Sequence, residues 1–197
     1  MLSDEIEQKL LLAAQEGDMD AYDALQIRLE PPVKRYVRRL TGAVSVEDDI
    51  VQDVFLSLFL HLKDIDPPEK LRPYVFRMAR NRCYDEFRRW ERQQTFSLDE
   101  EPVQLWVSFS ASTNGSKPDE LTHWMLLYME VQEAMEQLTE NQREALILFS
   151  EENLSYAEIA AITDTSIGTV KSRLFHAKQN LRRLLRAETL TAIEEGV

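Results

Sequence analysis

Several things are scarce in this sequence. Cysteine occurs once, as Cys83, in 197 residues. A single thiol cannot build a disulfide framework or a cysteine-based zinc cluster. The 5 glycines and 7 prolines are too few for turn-rich all-β architectures. No apolar run approaches the roughly 20 residues a membrane span needs, so no membrane insertion is expected. The opening Met1-Leu2-Ser3-Asp4-Glu5 is acidic and unlike a secretory or organellar signal. Positive charge is also in deficit: 23 Lys+Arg stand against 35 Asp+Glu, a formal net charge of −12. By itself that total argues against a nucleic-acid partner. The 44% apolar and 29% charged content belongs to a folded chain rather than a disordered one. The length allows one domain or two small ones. The expectation is a soluble protein of a reducing compartment.

The charge is unevenly distributed. Residues 1–68 carry 7 basic and 14 acidic residues, and residues 95–165 carry 2 and 14. Between them, residues 69–94 carry 8 and 4, a net +4, while residues 166–186 carry 6 and none, a net +6. The tail 187–197 adds 3 acids. Two basic islands therefore sit in an acidic chain. One such island is commonly a solvated helix face; two, each ending a helical segment, point to a shared anionic partner.

Helical periodicity dominates and strand alternation is nearly absent, so the fold is expected to be all-α. Ser3 is placed to cap a first helix with acids in its opening turns, and Gly17 to end it. A second helix begins near Met19. Pro31-Pro32 should break or kink it, because proline lacks the amide donor and crowds the preceding turn. The helix resumes over 33–40 and stops at Gly42. Ser45 and Asp48 have capping-box spacing, opening a helix over about 46–63. Pro67-Pro68 closes that region, and another helix follows over about 70–94. Residues 95–121 read as a flexible polar linker, with Asp99–Glu101 acidic and Trp106 and Phe109 unusual for a spacer. Helices then follow at about 121–137, 140–150, 155–162 and 166–186, the second and third opened by Thr139-x-x-Gln142 and Ser155-x-x-Glu158. The domains are expected at 1–94 and 122–186, with an acidic tail at 187–197. Pro31-Pro32 and the tail have no assigned role.

Only Thr163, Asp164 and Thr165 separate the last two of these helices. A short helix, a tight turn and a longer helix form the helix-turn-helix pattern. At about 100° per residue, Val170, Leu174, Ala177 and Leu181 share one face. Ser172, Phe175, His176 and Gln179 share the opposite one, flanked by Lys171 and Arg173. Phe175 has no packing reason to lie on a polar face. In a major groove it could touch a thymine methyl, while Lys171, Ser172 and His176 reach base edges and phosphates. The alternative is that Phe175 packs on a neighbouring helix and the basic residues are solvation.

The helix at 46–63 is apolar around most of its circumference, through Ile50, Val51, Val54, Phe55, Leu56, Leu58, Phe59, Leu60 and Leu62. One stripe must be core; the remainder suits a partner surface or the cover of another helix. Asp48, Asp49, Gln52 and Asp53 lie beside it. Residues 70–90 interleave arginines with aromatics, a mixture suited to opened nucleic acid. The alternative is that Phe76, Tyr84, Phe87 and Trp90 are core and the arginines snorkel. Cys83 reads as a small buried residue without a redox role.

Three blocks, in order, resemble extracytoplasmic-function (group 4) sigma factors of the sigma-70 family. Residues 46–62, from Val46-Glu47-Asp48-Asp49-Ile50-Val51-Gln52-Asp53-Val54-Phe55 onward, are similar to the family's polymerase-binding segment. Residues 71–89, including Ala79-Arg80-Asn81, resemble its melting and −10-reading segment. Residues 154–185 resemble its −35-reading domain through Leu154-Ser155-Tyr156-Ala157-Glu158-Ile159-Ala160 and Gly168-Thr169-Val170-Lys171-Ser172-Arg173-Leu174.

The resemblance implies a region 2 domain, a linker and a region 4 helix-turn-helix domain. It implies that Asp49, Gln52, Asp53 and Phe55 bind core RNA polymerase. Lys70, Arg72, Tyr74, Arg77, Arg80, Asn81, Arg88 and Arg89 would meet the −10 element, with Asn81 and the loop Asp64–Tyr74 holding a flipped base. Thr169, Lys171, Ser172, Arg173, Phe175, His176 and Arg182 would meet the −35 element, Arg173 and Arg182 on phosphates. The linker acids would match a segment that lies in polymerase channels otherwise used by nucleic acid. Implied partners are core RNA polymerase, promoter DNA and an anti-sigma factor, in a bacterial cytoplasm, with no small-molecule substrate and no cofactor. The sequence departs from the family at Leu71 and Tyr74, where phenylalanine and tryptophan are frequent, and at His176 and Lys178, where arginine is common. Histidine, with a reference pKa of about 6.5, is the weaker phosphate partner.

The competing reading is a helix-turn-helix regulator that binds duplex DNA without polymerase, which leaves residues 50–62 and 70–94 idle. An enzyme is not expected. The sequence shows no triad-like spacing, phosphate-cradling glycine loop or metal-ligand cluster, and His61, His123 and His176 are scattered. No catalytic or metal-binding residues are assigned.

Overall fold

A computed structural model describes residues 2–42, 46–94 and 118–194, and every regular element among them is helical. Helix α1 (Leu2–Gln15) begins at Leu2, so Ser3 lies inside its first turn instead of capping it. Gly17 turns the chain with a φ of 104°. The Asp18 carboxylate then accepts from the Ala21 amide at 3.0 Å, opening α2 (Met19–Thr41).

Helix α2 corrects one expectation: it runs through Pro31 and Pro32 without a break. An interior proline costs about 3 kcal/mol through the lost amide and steric crowding. The stripe Leu25, Leu29, Val33, Tyr36, Val37 and Leu40 is buried on both sides of the pair. Each such side chain contributes roughly 1.5–3 kcal/mol of burial, so continuity of the buried face outweighs local propensity. The helix ends at Gly42, whose φ of 65° and amide bond to the Arg38 carbonyl form a left-handed cap.

Helix α3 (Glu47–Leu60) starts after Val46, which supplies no side-chain cap; Ser45, the expected cap, lies outside the described residues. Glu47 is buried at this start. Arg38 holds it through two guanidinium bonds of 2.6 and 3.0 Å. The Tyr22 hydroxyl donates to the Phe55 carbonyl at 2.7 Å, fixing α2 against α3. Two short 3₁₀ turns, Leu62–Asp64 and Pro68–Lys70, lead into α4 (Leu71–Gln94). The Gln15 side chain ties α1 to this connection by donating to the Leu62 and Ile65 carbonyls.

The C-terminal part comprises α5 (Pro118–Glu136), α6 (Glu140–Ser150), α7 (Tyr156–Thr163) and α8 (Ile167–Leu184). The capping box at Ser155 and Glu158 is formed in both directions. Thr139 has the extended cap conformation, but its side chain makes no cap bond. The expected box there is absent, and the otherwise orphan Gln142 amide bonds to the Thr139 carbonyl at 2.9 Å.

The acidic tail folds as a ninth helix, α9 (Ala187–Glu194). Glu130 of α5 anchors it by accepting from the Arg186 amide and guanidinium and from the Thr189 hydroxyl. The two halves are not separate bodies. Their buried residues form one continuous hydrophobic cluster, with α2 and α4 against α6 and α7. The linker acids Asp99–Glu101, with Trp106 and Phe109, lie outside the described residues.

Candidate nucleic-acid interface and partner surface

Helix α7, the turn at Asp164 and helix α8 make the helix-turn-helix. Asp164 takes a left-handed φ of 53° to reverse the chain, and the Ser166 hydroxyl caps α8 by accepting from the Thr169 amide at 3.0 Å. Val170, Leu174 and Ala177 are buried against α6 and α7. This leaves Lys171, Ser172, Phe175, His176 and Gln179 exposed along the opposite face. Phe175 is 63% exposed, and its ring meets the His176 edge at a centroid distance of 5.4 Å. The alternative in which Phe175 packs on a neighbouring helix does not apply.

Lys171 and Lys178 extend over Tyr156 and Phe149, leaving both ammonium groups on the outer surface. Thr139, Asn141 and Gln142 at the start of α6 share a groove of about 520 Å³ with Thr169, Ser172 and His176. These three polar residues were missed in the sequence because no spacing rule links them to α8, about 30 positions away.

Arg173 lines the same groove at the edge of that row. It is half-buried, and its Nη1 is enclosed without a hydrogen-bond partner. Its charge is felt by the buried Glu144 carboxylate.

On the N-terminal half, Asp49, Gln52 and Asp53 are exposed along α3. Phe55 is not: it is 4% exposed and belongs to the core, contrary to its expected place on the partner surface. The exposed apolar residues of this helix are Leu56, Phe59 and Leu60, the last 69% exposed. Asp49 and Asp53 face Arg82 and Arg89 across a groove of about 470 Å³ between α3 and α4.

The arginines of α4 are largely engaged. Arg72 forms two bonds to Glu7, at 2.9 and 3.0 Å, and the hydrogen bond to Glu7 pushes its pKa up despite partial burial. Arg80 donates to Glu144 at 2.9 Å and lies over the Tyr84 ring. Arg88 pairs with Asp85, and Arg89 with Glu86 at 3.7 Å. Lys70, Arg77 and Asn81 are exposed, while Tyr74 is half-buried against the core. Tyr84 and Phe87 pack T-shaped, Phe87 lies tilted against Trp90, and Phe76 is fully buried, so these aromatics serve structure. Cys83 is buried, and burial raises its thiol pKa to about 12.

Among the described residues no cluster of His, Cys, Asp or Glu could hold a metal ion, and no helix is long and apolar enough to cross a membrane. The family model for Sigma-70 region 2 matches residues 14–93, and that for Sigma-70 region 4 matches residues 128–181. The chain is 30% identical over 155 residues to the ECF RNA polymerase sigma factor EcfG of Rhodopseudomonas palustris, covering 79% of this chain and 80% of that one. It is 29% identical to the ECF RNA polymerase sigma-E factor of Escherichia coli K12, covering 88% and 91%. Its fold resembles that of the sigma factor RpoE, solved in complex with the anti-sigma factor NepR from Bartonella quintana. That likeness has a TM-score of 0.70 at 24% identity and covers 84% of this chain and 97% of the other. Region 2 followed by region 4 spans more than half of the sequence, in line with the full-length similarity to these relatives, and the chain belongs to the extracytoplasmic-function sigma factors of the sigma-70 family.

Proposed function

We propose a division of labour in which residues 1–94 bind core RNA polymerase and open the −10 element, and residues 122–186 read the −35 element. Residues 95–121 connect them. The observation that carries this reading is the outer row of α8. Lys171, Ser172, Phe175 and His176 are exposed together on a helix whose opposite face is locked into a core. Such a row offers cationic, polar and apolar contacts in the order a major groove can accept. Thr169, with Thr139, Asn141 and Gln142 beside it, supplies hydroxyl and amide groups suited to phosphates, and Arg182 a charge nearly two turns beyond His176.

On α4, Asn81 is the exposed amide that would hold an unstacked base. Lys70, Arg72, Tyr74, Arg77, Arg80, Arg88 and Arg89 supply phosphate and stacking contacts around it once they are released from their present partners. On α3, Asp49, Gln52 and Asp53 with Leu56, Phe59 and Leu60 form the polymerase-facing surface. An anti-sigma factor, as seen with the structural neighbours, would cover the same surface. The work is binding and DNA deformation in the bacterial cytoplasm, without catalysis by this chain.

Run-off transcription on a genomic promoter pool, with core polymerase alone and with the protein added, tests this. Promoter-specific transcripts are expected only with the protein. A duplex-DNA shift by the protein without any such transcript would return the chain to the class of polymerase-independent helix-turn-helix regulators.

A further inference from the structure

We propose that the packed arrangement is a self-masked resting form, held shut by a buried latch in which carboxylates of the −35 domain occupy arginines of the −10 domain. The inference rests on the sigma-factor reading above and concerns what must happen before both promoter elements can be read.

The latch has a deep and a shallow part. In the deep part, Glu144 of α6 is fully buried, and its Oε1 accepts from the Tyr36 hydroxyl of α2 and the Arg80 guanidinium of α4, each at 2.9 Å. In the shallow part, Arg35 of α2 grips Glu152 with two bonds of 2.9 and 3.0 Å, and Arg39 reaches Glu151 at 3.3 Å. Glu152 is 3% exposed. Every donor lies before residue 94 and every carboxylate after residue 140, so the contacts join the two domains rather than build either one.

Burying carboxylates is costly unless they are paired and hydrogen-bonded. Desolvation pushes the pKa of both Glu144 and Glu152 up, with Arg80 and Arg35 as the main opposing charges. The pairing is also incomplete. Glu144 Oε2 and Arg173 Nη1 are both enclosed without a hydrogen-bond partner. A buried group left unsatisfied weakens the state that contains it, so the shut form is one that can be opened.

Two features make this contact a mask rather than ordinary packing. Arg80 adjoins the base-reading Asn81, and Glu144 holds the guanidinium that a −10 phosphate would need. The second feature is reach. Elements named for positions −10 and −35 lie on the order of 25 base pairs apart, roughly 85 Å of duplex at about 3.4 Å per pair. A compact chain of this length has a radius of gyration of about 16 Å. One packed body cannot touch both elements, so the domains must part.

Charge exchange in the shallow part tests the latch with little risk to either fold, since Arg35 is half-exposed. Small-angle scattering on the full chain should show a compact particle. Arg35→Glu, which sets a carboxylate against Glu151 and Glu152, should elongate it. The double variant Arg35→Glu/Glu152→Arg should restore compactness. In parallel, Arg35→Glu should tighten binding to core polymerase about ten-fold, as when a binding-competent form rises from about a tenth of the molecules to most of them, and the double variant should reverse this. An extended wild-type chain, or an Arg35→Glu particle as compact as wild type, overturns the latch whatever polymerase does. Elongation without any change in core binding overturns its masking role. Absence of run-off transcripts with wild-type protein instead strikes the sigma-factor reading, since scattering needs no polymerase.

Discussion

The two basic islands have similar charge and different ion pairing. On α4, Arg72, Arg80, Arg82, Arg88 and Arg89 all lie within 4.0 Å of a carboxylate. On α8, among the described residues, Lys171, Lys178 and Arg182 make no ion pair. The difference comes from surroundings rather than composition. Helix α4 packs against α2, α3 and α7 and meets acids of α1, α3, α6 and its own turns, whereas α8 buries only its apolar stripe and leaves the other face to solvent. On α4 only Arg80 is held by a carboxylate of the C-terminal half; Arg72, Arg82, Arg88 and Arg89 are paired within the N-terminal half.

The contrast can be broken or sharpened by four measurements, taken from the largest expected effect to the smallest. Cys83 sits on the enclosed side of α4, and its thiol is raised to about 12. A thiol of ordinary pKa, 9.0, would hold about a thousand-fold more thiolate at pH 8, and the thiolate is the reactive form. Alkylation by iodoacetamide should therefore be slower by about that factor than for a free cysteine, and should speed up as pH rises toward 12. Rapid labelling at pH 8 would mean that α4 is not enclosed.

On the open island, Lys171→Glu should weaken binding to a −35 duplex by about 100-fold, the upper range for one lost base-directed contact, with core binding unchanged. A titration by fluorescence anisotropy reads this directly, and equal affinities would remove α8 from the interface. Asn81→Ala should lower open-complex formation by about ten-fold, from a lost pocket contact of about 1.4 kcal/mol, while leaving the −35 duplex affinity intact. Permanganate footprinting separates the two effects; parallel loss of both would erase the division between the islands. The smallest effect is expected from His176→Arg, about a three-fold tightening on the same duplex. Arginine keeps its charge at every working pH and offers a planar fork to phosphate. An unchanged affinity would place His176 away from DNA.

Much of the helical order was legible in sequence, for identifiable reasons. The buried and exposed faces of α8 follow from a 3.6-residue period that local apolar spacing encodes directly. The cap at Ser155, and the stops at Gly17 and Gly42, rest on interactions spanning a few residues. Local rules failed where distant burial prevailed. Pro31-Pro32 does not interrupt α2, because the stripe from Leu25 to Leu40 is buried as a unit. Phe55 was assigned by motif position, but the helix turns it into the core. Leu56, Phe59 and Leu60 were legible as excess apolar surface, though not as the part left uncovered. Family, order of domains and the outer row of α8 carry the functional reading, and all three are properties of the string itself.

The total of −12 has a different meaning in the folded chain. Glu144, Glu151 and Glu152 of the −35 domain pair with Arg80, Arg39 and Arg35 of the −10 domain, so part of the acidic excess is neutralised inside the molecule. The sequence by itself determined an all-α chain, the positions of most of its helices though not the continuity of α2 or the existence of α9, its two basic islands and the family to which it belongs, because periodicity, capping and motif order are local properties. Only the tertiary structure decided which arginines are occupied, which apolar residues remain exposed and that the two domains share a core. Glu144 meets Arg80 across 64 positions, and Glu152 meets Arg35 across 117. No periodicity extends over such intervals, and pairings of that range follow from how the helices pack.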